Sequence, residues 1–296
     1  MSHDRFVFLF VAIFVLFLAS CRGPTVSPIS SVPPPGPRSY AVYYGEKSPA
    51  PALSRVDWAI VQDNYPPGKN GRTLYFAYIS MGEIDPGTRI AKDISRSPGG
   101  LESVTLGKNL FWNSRIADIR KKSFRQALLM QIKRDTKRGF GGIFLDTLDS
   151  PLEYGRTHPR QAAGIRRAME SFIEIVHASY PTLHIVVNRG FGLLPELAPF
   201  VSGVLYEDFC SRYDEVGKHY VTVPAGEREK FLRDISRART HNPGLVVLAL
   251  DYDDPRRPAL SYPCARMARK EKFLHYVSDW TLTRSVPGPP LGWTGE

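Results

Sequence analysis

The chain has 296 residues and a formal net charge of +10, from 39 Lys and Arg against 29 Asp and Glu. A hydrophobic content of 43% with 23% charged residues excludes wholesale disorder, and the length allows one large domain with a full core and no need of metal or disulfide staples. The basic balance admits nucleic acid or an anionic surface as a partner, but the sequence carries no recognisable nucleic-acid module, so no nucleic acid is expected to bind.

Residues 6–19 form an unbroken apolar run behind His3 and Arg5. Fourteen residues are too few to span a bilayer comfortably and suit the apolar region of a signal peptide. The run ends Leu18-Ala19-Ser20-Cys21, which resembles the lipobox of bacterial lipoproteins. That resemblance implies a signal peptide over 1–20 and a lipid anchor on Cys21, holding the protein at a membrane of the bacterial cell envelope without spanning it. Arg22 follows the cysteine instead of Asp, which by the same resemblance favours the outer membrane. Residues 21–38 are rich in proline and read as a stiff, extended tether. Residues 286–296 are a Pro/Gly-rich tail, which leaves 39–285 as a single body expected to be a monomer.

Eight short apolar runs recur in the body: 40–44, 56–62, 74–80, 142–146, 183–187, 203–206, 245–250 and 274–278. Their Val, Ile, Tyr and Phe content, without polar alternation, suits strands covered on both faces. Between them, 123–138 places Phe124, Ala127, Leu128 and Ile132 on one helical stripe, with Ser123 and Gln126 spaced as a capping box. Residues 160–179 repeat the pattern, and 225–240 form a weaker third helix. Alternating strands and helices over about 250 residues indicate a single α/β domain, a (β/α)8 TIM-type barrel. A doubly wound open sheet is the alternative, and the lack of a Gly-rich loop after the first strand disfavours it.

In such a barrel the chemistry sits where strands end. Carboxylates or carboxamides close most of the runs: Asp63, Glu83, Asp146 with Asp149, Asn188 followed by Arg189, Glu207 with Asp208, Asp251 with Asp253 and Asp254, and Asp279. Any one of them reads equally well as a turn or cap residue; the set suggests an acidic opening on a basic body. Paired carboxyl groups beside aromatics suit glycoside hydrolysis, in which one protonates the leaving oxygen and the other attacks or activates water. Tyr43, Tyr44, Tyr65, Tyr78, Tyr252 and Trp280 lie near the same end, where rings stack on sugar faces. The seven histidines show no metal spacing, and His184 and His275 read as packed side chains. Cys210 and Cys264 are expected to be packed thiols, with a disulfide as the alternative.

The strings AYISMGEI (77–84), GFGGIFLDTLD (139–149), VVNRGF (186–191), VLYED (204–208) and VLALDYDD (247–254), in this order, resemble glycoside hydrolase family 114. The family comprises endo-α-1,4-polygalactosaminidases and the hydrolase domains of Pel-polysaccharide proteins. The resemblance implies a barrel that cleaves a partly de-N-acetylated galactosamine polymer with no metal or organic cofactor. It implies Asp146 as nucleophile and Glu207 as general acid/base, the latter protonated at neutral pH by burial or a neighbouring anion. The alternative for Glu207 is a carboxylate at a helix N-terminus. Tyr44, Asp63, Glu83, Asp149, Asn188, Arg189, Asp251, Tyr252 and Trp280 are the expected substrate-binding or supporting residues, with Glu83 and Asp149 as alternative catalysts and Arg189 as a possible salt-bridge partner of Asp146. Gly141, where the family often has Asp, and Asp208, where a small hydroxyl residue is common, depart from the pattern. Asp on strand four with Glu on strand six resembles retaining α-glycosidases, which implies a retaining outcome. A glycosidase of the same fold on another glycan, or a polysaccharide-binding lipoprotein without catalysis, are the rival readings.

Overall fold

The computed structural model describes residues 36–45, 51–68 and 71–284. The expected signal peptide, Cys21, most of the tether and the tail lie outside them. Among the described residues no helix is long and apolar enough to cross a membrane.

In chain order the elements are β1 (Tyr40–Tyr43), β2 (Trp58–Val61), β3 (Leu74–Ser80), β4 (Glu83–Ile84), α1 (Arg89–Ser95), β5 (Thr105–Asn109), β6 (Ser114–Ala117) and α2 (Lys122–Arg138). There follow β7 (Gly142–Asp146), α3 (Asp149–Thr157), α4 (Pro159–Ser179), β8 (His184–Asn188), α5 (Leu194–Leu197), β9 (Gly203–Glu207), β10 (Ser211–Asp214) and β11 (His219–Thr222). Last come α6 (Ala225–His241), β12 (Val246–Tyr252), α7 (Ser261–Lys270) and β13 (Leu274–Ser278). Eight strands form one parallel sheet in the order β1-β2-β3-β7-β8-β9-β12-β13. The two edge strands meet through the Tyr40 and Tyr276 rings, 5.8 Å apart, and the Tyr44 N–H bonds the Leu282 carbonyl at 2.8 Å. The sheet is thus a nearly closed (β/α)8 barrel.

The side-chain period of two divides β7, β8, β9 and β12 between two cores. Phe144, Val186, Leu205 and Leu250 belong to the cluster inside the barrel. Ile143, Leu145, Ile185, Val187, Val204, Tyr206 and Ala249 pack outward with Phe124, Leu128, Ile132, Ile165, Met169 and Phe172 of the helices. Burial on both faces explains why these strands read as continuous apolar runs.

The helix α2 starts one residue before the expected capping box. Its N-cap is Lys121, with no side-chain cap bond. The turn is held instead by the Lys121 N–H on the Asp118 carbonyl at 3.0 Å. Two insertions were not expected. A three-stranded antiparallel sheet, β4-β6-β5, follows β3, and the hairpin β10-β11 follows β9, both at the strand-end face.

The cysteines are a correction: Cys210, after β9, and Cys264, on α7, form a disulfide with Cα atoms 5.4 Å apart. The pairing depends on where α7 packs, which their spacing does not reveal. The bond closes a loop with a sequence separation of 54, which corresponds to about 4 kcal/mol in the chain-entropy account. Reduction is therefore expected to lower the urea midpoint of unfolding clearly; equal midpoints with and without reductant would contradict this.

Candidate active site

Counting two residues on from Phe144, Val186, Leu205 and Leu250 leads to Asp146, Asn188, Glu207 and Tyr252, and from Phe76 to Tyr78. These five side chains point into the mouth of the barrel because they keep the interior phase of their strands. Asn188 joins the two acids. Its Nδ2 donates to Asp146 Oδ1 at 2.8 Å and to Glu207 Oε2 at 2.9 Å. Those two oxygens are therefore no farther apart than both bonds laid end to end, about 5.7 Å. Asp146 Oδ1 also accepts the Thr147 N–H at 2.7 Å, and the Tyr78 hydroxyl bonds the same carboxylate. The Tyr252 hydroxyl donates to Glu207 Oε1. Tyr44 sets its ring edge-on to Tyr78, with centroids 5.4 Å apart. The Asn188 Oδ1 is buried with no partner, an acceptor left open at the centre of the cluster.

Burial, and then the charge of Glu207, push the Asp146 carboxyl up to about 6, against the bonds from Asn188, Tyr78 and Thr147. The same two causes push Asp208 up to about 7, with the Arg189 cation opposing. Tyr44, Tyr78 and Tyr252 are held well above the usual phenol range, first by burial and then by the neighbouring carboxylates, and stay neutral donors. Burial and the neighbouring Glu207 charge thus oppose ionisation of both Asp146 and Asp208.

The backbone beneath the cluster is strained. Thr147, Arg189 and Asp208, the residues after β7, β8 and β9, have φ of 64°, 53° and 58°. Left-handed non-glycine residues cost about 1–3 kcal/mol each and gather at functional sites. At Thr147 the cost is offset by its hydroxyl, which bonds the Ser80 hydroxyl at 2.8 Å and accepts the Gly82 N–H at 2.9 Å. Gly82 is required there, since a Cβ would lie 1.9 Å from the Thr147 carbonyl oxygen.

The sequence profile of glycoside-hydrolase family GH114 matches residues 28–289. The chain belongs to this family and is a glycoside hydrolase. Its structure is similar to the glycoside hydrolase domain of PelA from Pseudomonas aeruginosa, at 31% identity and a TM-score of 0.73, covering 84% of this chain and 97% of that one. A variant of the same domain matches at 32% identity with the same TM-score. Aspergillus fumigatus Ega3, solved as a complex with galactosamine, shares the fold at 11% identity and a TM-score of 0.59, covering 84% and 94% of the two chains. No curated protein sequence matches.

In this GH114 hydrolase, the remaining expected site residues divide by phase and by partner. Asp149 accepts from Arg189 Nε at 2.9 Å and from the Gly190 N–H at 3.1 Å. Arg189 therefore pairs with Asp149, not with Asp146. It also donates to the Glu207 carbonyl at 3.0 Å, which fixes the backbone under the acid. Glu83 is buried and takes bonds from Ser114, Ser150 and Asn109 Nδ2, the last at 2.9 Å. It ties the β4-β6-β5 sheet to α3. Asp63 accepts from Gln131 Nε2 on α2 at 2.8 Å. Asp251 has the outward phase and is fully buried, bonding the Cys210 and Ser211 N–H groups and His275 Nε2. Its oxygens lie near both cysteine sulfurs, as metal ligands would, but the disulfide and these three bonds already engage those atoms. Asp253 caps the start of α7 through the Leu260 and Ser261 N–H groups, and Asp279 holds the Thr283 and Arg284 N–H groups. The expected acidic mouth thus narrows to Asp146, Glu207 and Asp208, because most other strand-end carboxylates brace loops. Trp280 is 43% exposed and stacks on Tyr213 at 5.1 Å.

Tyr78, expected only among the aromatics near the opening, bonds Asp146 itself; the step of two from Phe76 is the signal that places it there. A cavity of about 350 Å³ beside the end of β9 is lined by Arg189, Glu207, Asp208 and Arg212, with Tyr206 and the α6 residues Glu227 and Phe231. Glu207 of the acid pair thus borders this cavity, whereas Asp146 is not among its lining residues. The Asp208 carboxyl, pushed up to about 7 by burial and then by the Glu207 charge, becomes an anion beside Glu207 as pH rises through that value. Asp208→Asn is accordingly expected to move the alkaline limb of the kcat/KM profile to lower pH. An unmoved limb would contradict the coupling.

Proposed function

We propose that the protein is a retaining, endo-acting hydrolase of α-1,4-linked, partly de-N-acetylated galactosamine polysaccharide, held in the cell envelope by a lipid on Cys21. The observation that carries the mechanism is the Asn188 bridge. Carboxyl oxygens within about 5.7 Å suit the about 5–5.5 Å separation of retaining enzymes and fall short of the about 6.5–9.5 Å that leaves room for an inverting water. Asp146 Oδ attacks the anomeric carbon as the Glu207 carboxyl passes its proton to the departing glycosidic oxygen. The glycosyl–Asp146 ester then yields to a water whose proton returns to Glu207, and the ester oxygen leaves as the Asp146 carboxylate. Three donors on Asp146 favour the anion that attack requires. The neutral tyrosines and Asn188 fix both carboxyl groups in place.

The galactosamine in the Ega3 complex and the likeness to the PelA domain support the substrate class. The open Asn188 Oδ1 and the acidic cluster suit a sugar that presents hydroxyl and ammonium donors. The disulfide accords with an oxidising, exported location. The purified chain is expected to release internal fragments from galactosamine polymers, with a rate that depends on the degree of acetylation, and to leave neutral α-1,4-glucans intact. Release of monomers from chain ends alone, or equal cleavage of glucans, would overturn the substrate reading. Cys21→Ser is expected to move the protein out of the membrane fraction; unchanged fractionation would count against the anchor.

A further inference from the structure

The hairpin β5-β6 carries three consecutive uncovered apolar side chains at its tip: Leu110, Phe111 and Trp112, exposed by 87%, 63% and 64%. The two rings stand edge to face at 4.8 Å. Burying none of this surface is costly for a folded protein unless a ligand covers it. The hairpin is not loose. Asn109 and Ser114, the strand pair next to the tip, bond Glu83, and so does Ser150 of α3, the helix that follows the Asp146 strand. Arg115 is answered by Glu102.

A second aromatic group stands on the far side of the acid pair. Trp280 lies parallel to Tyr213 at an interplanar angle of 9°, and Tyr220 packs on Tyr213 at 5.1 Å. Tyr213 and Tyr220 belong to the hairpin inserted after β9, and Trp280 follows β13. Around the barrel the order is β3, β7, β8, β9, β12, β13. The strands carrying Asp146, Asn188 and Glu207 therefore lie between the insertion that bears Phe111 and Trp112 and the one that bears Tyr213.

We propose that these two aromatic rims hold one polysaccharide chain on both sides of the scissile bond, with Phe111 and Trp112 as a distal binding platform that only a long chain reaches. The inference rests on the glycosidase reading above. Exposed rings pack on the apolar faces of sugars whatever the state of the amine. A bilayer seated on the tip would instead cover the face through which a polymer enters, and the tip's attachment to the catalytic loop suits a substrate better than an anchor. Holding the chain on both sides favours cleavage within it.

Phe111→Ala with Trp112→Ala, and separately Trp280→Ala, change exposed side chains and are expected to fold. In an uncleaving Glu207→Gln chain, each change is expected to weaken co-sedimentation with galactosamine polymer by roughly tenfold. In the active chain, kcat/KM on the polymer falls similarly, while for the Phe111 and Trp112 change that on a tetrasaccharide stays within about twofold. Equal losses on both substrates, or unweakened polymer binding, would overturn the proposal. So would loss of binding to phosphatidylglycerol vesicles with polymer binding intact, which would assign the tip to a membrane. If the starting chain ignores galactosamine polymer but binds another glycan through these rings, the rims stand and the substrate reading fails. Binding to no glycan would sink both.

Discussion

Asp146→Asn is expected to reduce kcat by roughly 10⁴-fold or more, because it removes the nucleophile of a two-step reaction whose partners act as a unit. Glu207→Gln is expected to cost roughly 10²–10⁴-fold, the span typical of losing a general acid/base, with less loss on substrates whose leaving group needs no proton. The two changes also separate by stability. The Asp146 carboxyl rises from 3.8 to about 6 on folding, first because of burial. The folded state thus binds the extra proton between those values, and stability falls as pH rises through that window. The contribution is fully present below about 4 and lost above about 6. Asparagine has no such charge to bury, so Asp146→Asn is expected to raise the melting temperature at pH 7.5 and to lose this advantage below pH 4. A variant that is inactive and less stable at pH 7.5 would mark Asp146 as a structural residue.

Asp251→Ala is expected to destabilise the protein by about 3–5 kcal/mol, the range for breaking a buried, fully bonded charge. For a domain of this size that is a fall of roughly 10 °C in melting temperature. The Cys210 and Ser211 N–H groups, at 2.6 and 2.8 Å, and His275 Nε2, at 2.8 Å, would lose their acceptor inside the protein. Asp251→Asn retains an acceptor for the two N–H groups and should cost less. If Asp251 contacts substrate instead, alanine would raise KM and leave the melting temperature unchanged.

The contrast between Asp146 and Asp251 shows where the sequence was legible. Both follow apolar runs and both are aspartates. What separates them is phase: Asp146 is in step with Phe144 inside the barrel, whereas Asp251 alternates with Leu250 and Tyr252 and faces out. Reading the residue type at each strand end gathered Asp63, Glu83 and Asp251, which brace α2, the inserted sheet and the disulfide loop, together with Asp146 and Glu207; only the resemblance to the family singled out that pair. The eight barrel strands were recognisable because both faces are covered. Only β8, β9 and β12 run one or two residues past the expected ends, because there the apolar runs stop while the ladder continues. Asn188 still pairs with Leu205, Glu207 with Leu250 and Tyr252 with Ser278. Asn188, Glu207 and Tyr252 therefore sit within the sheet, which gives them its rigidity. The inserted sheet left no signal, since β5 reads Thr-Leu-Gly-Lys-Asn and β4 has two residues. The net charge was a poor guide to the mouth of the barrel, because the acids gathered there are three residues packed between β7 and the turn after β9.

The central claim is that Asp146 becomes covalently linked to the sugar while Glu207 moves the proton. Its most direct test is mass spectrometry of rapidly quenched Glu207→Gln protein turning over a galactosamine oligosaccharide with an activated leaving group. The account expects a glycosyl adduct on the peptide containing Asp146, with the first-formed product keeping the α configuration. An adduct on another residue, or no adduct with β product formed first, would contradict it.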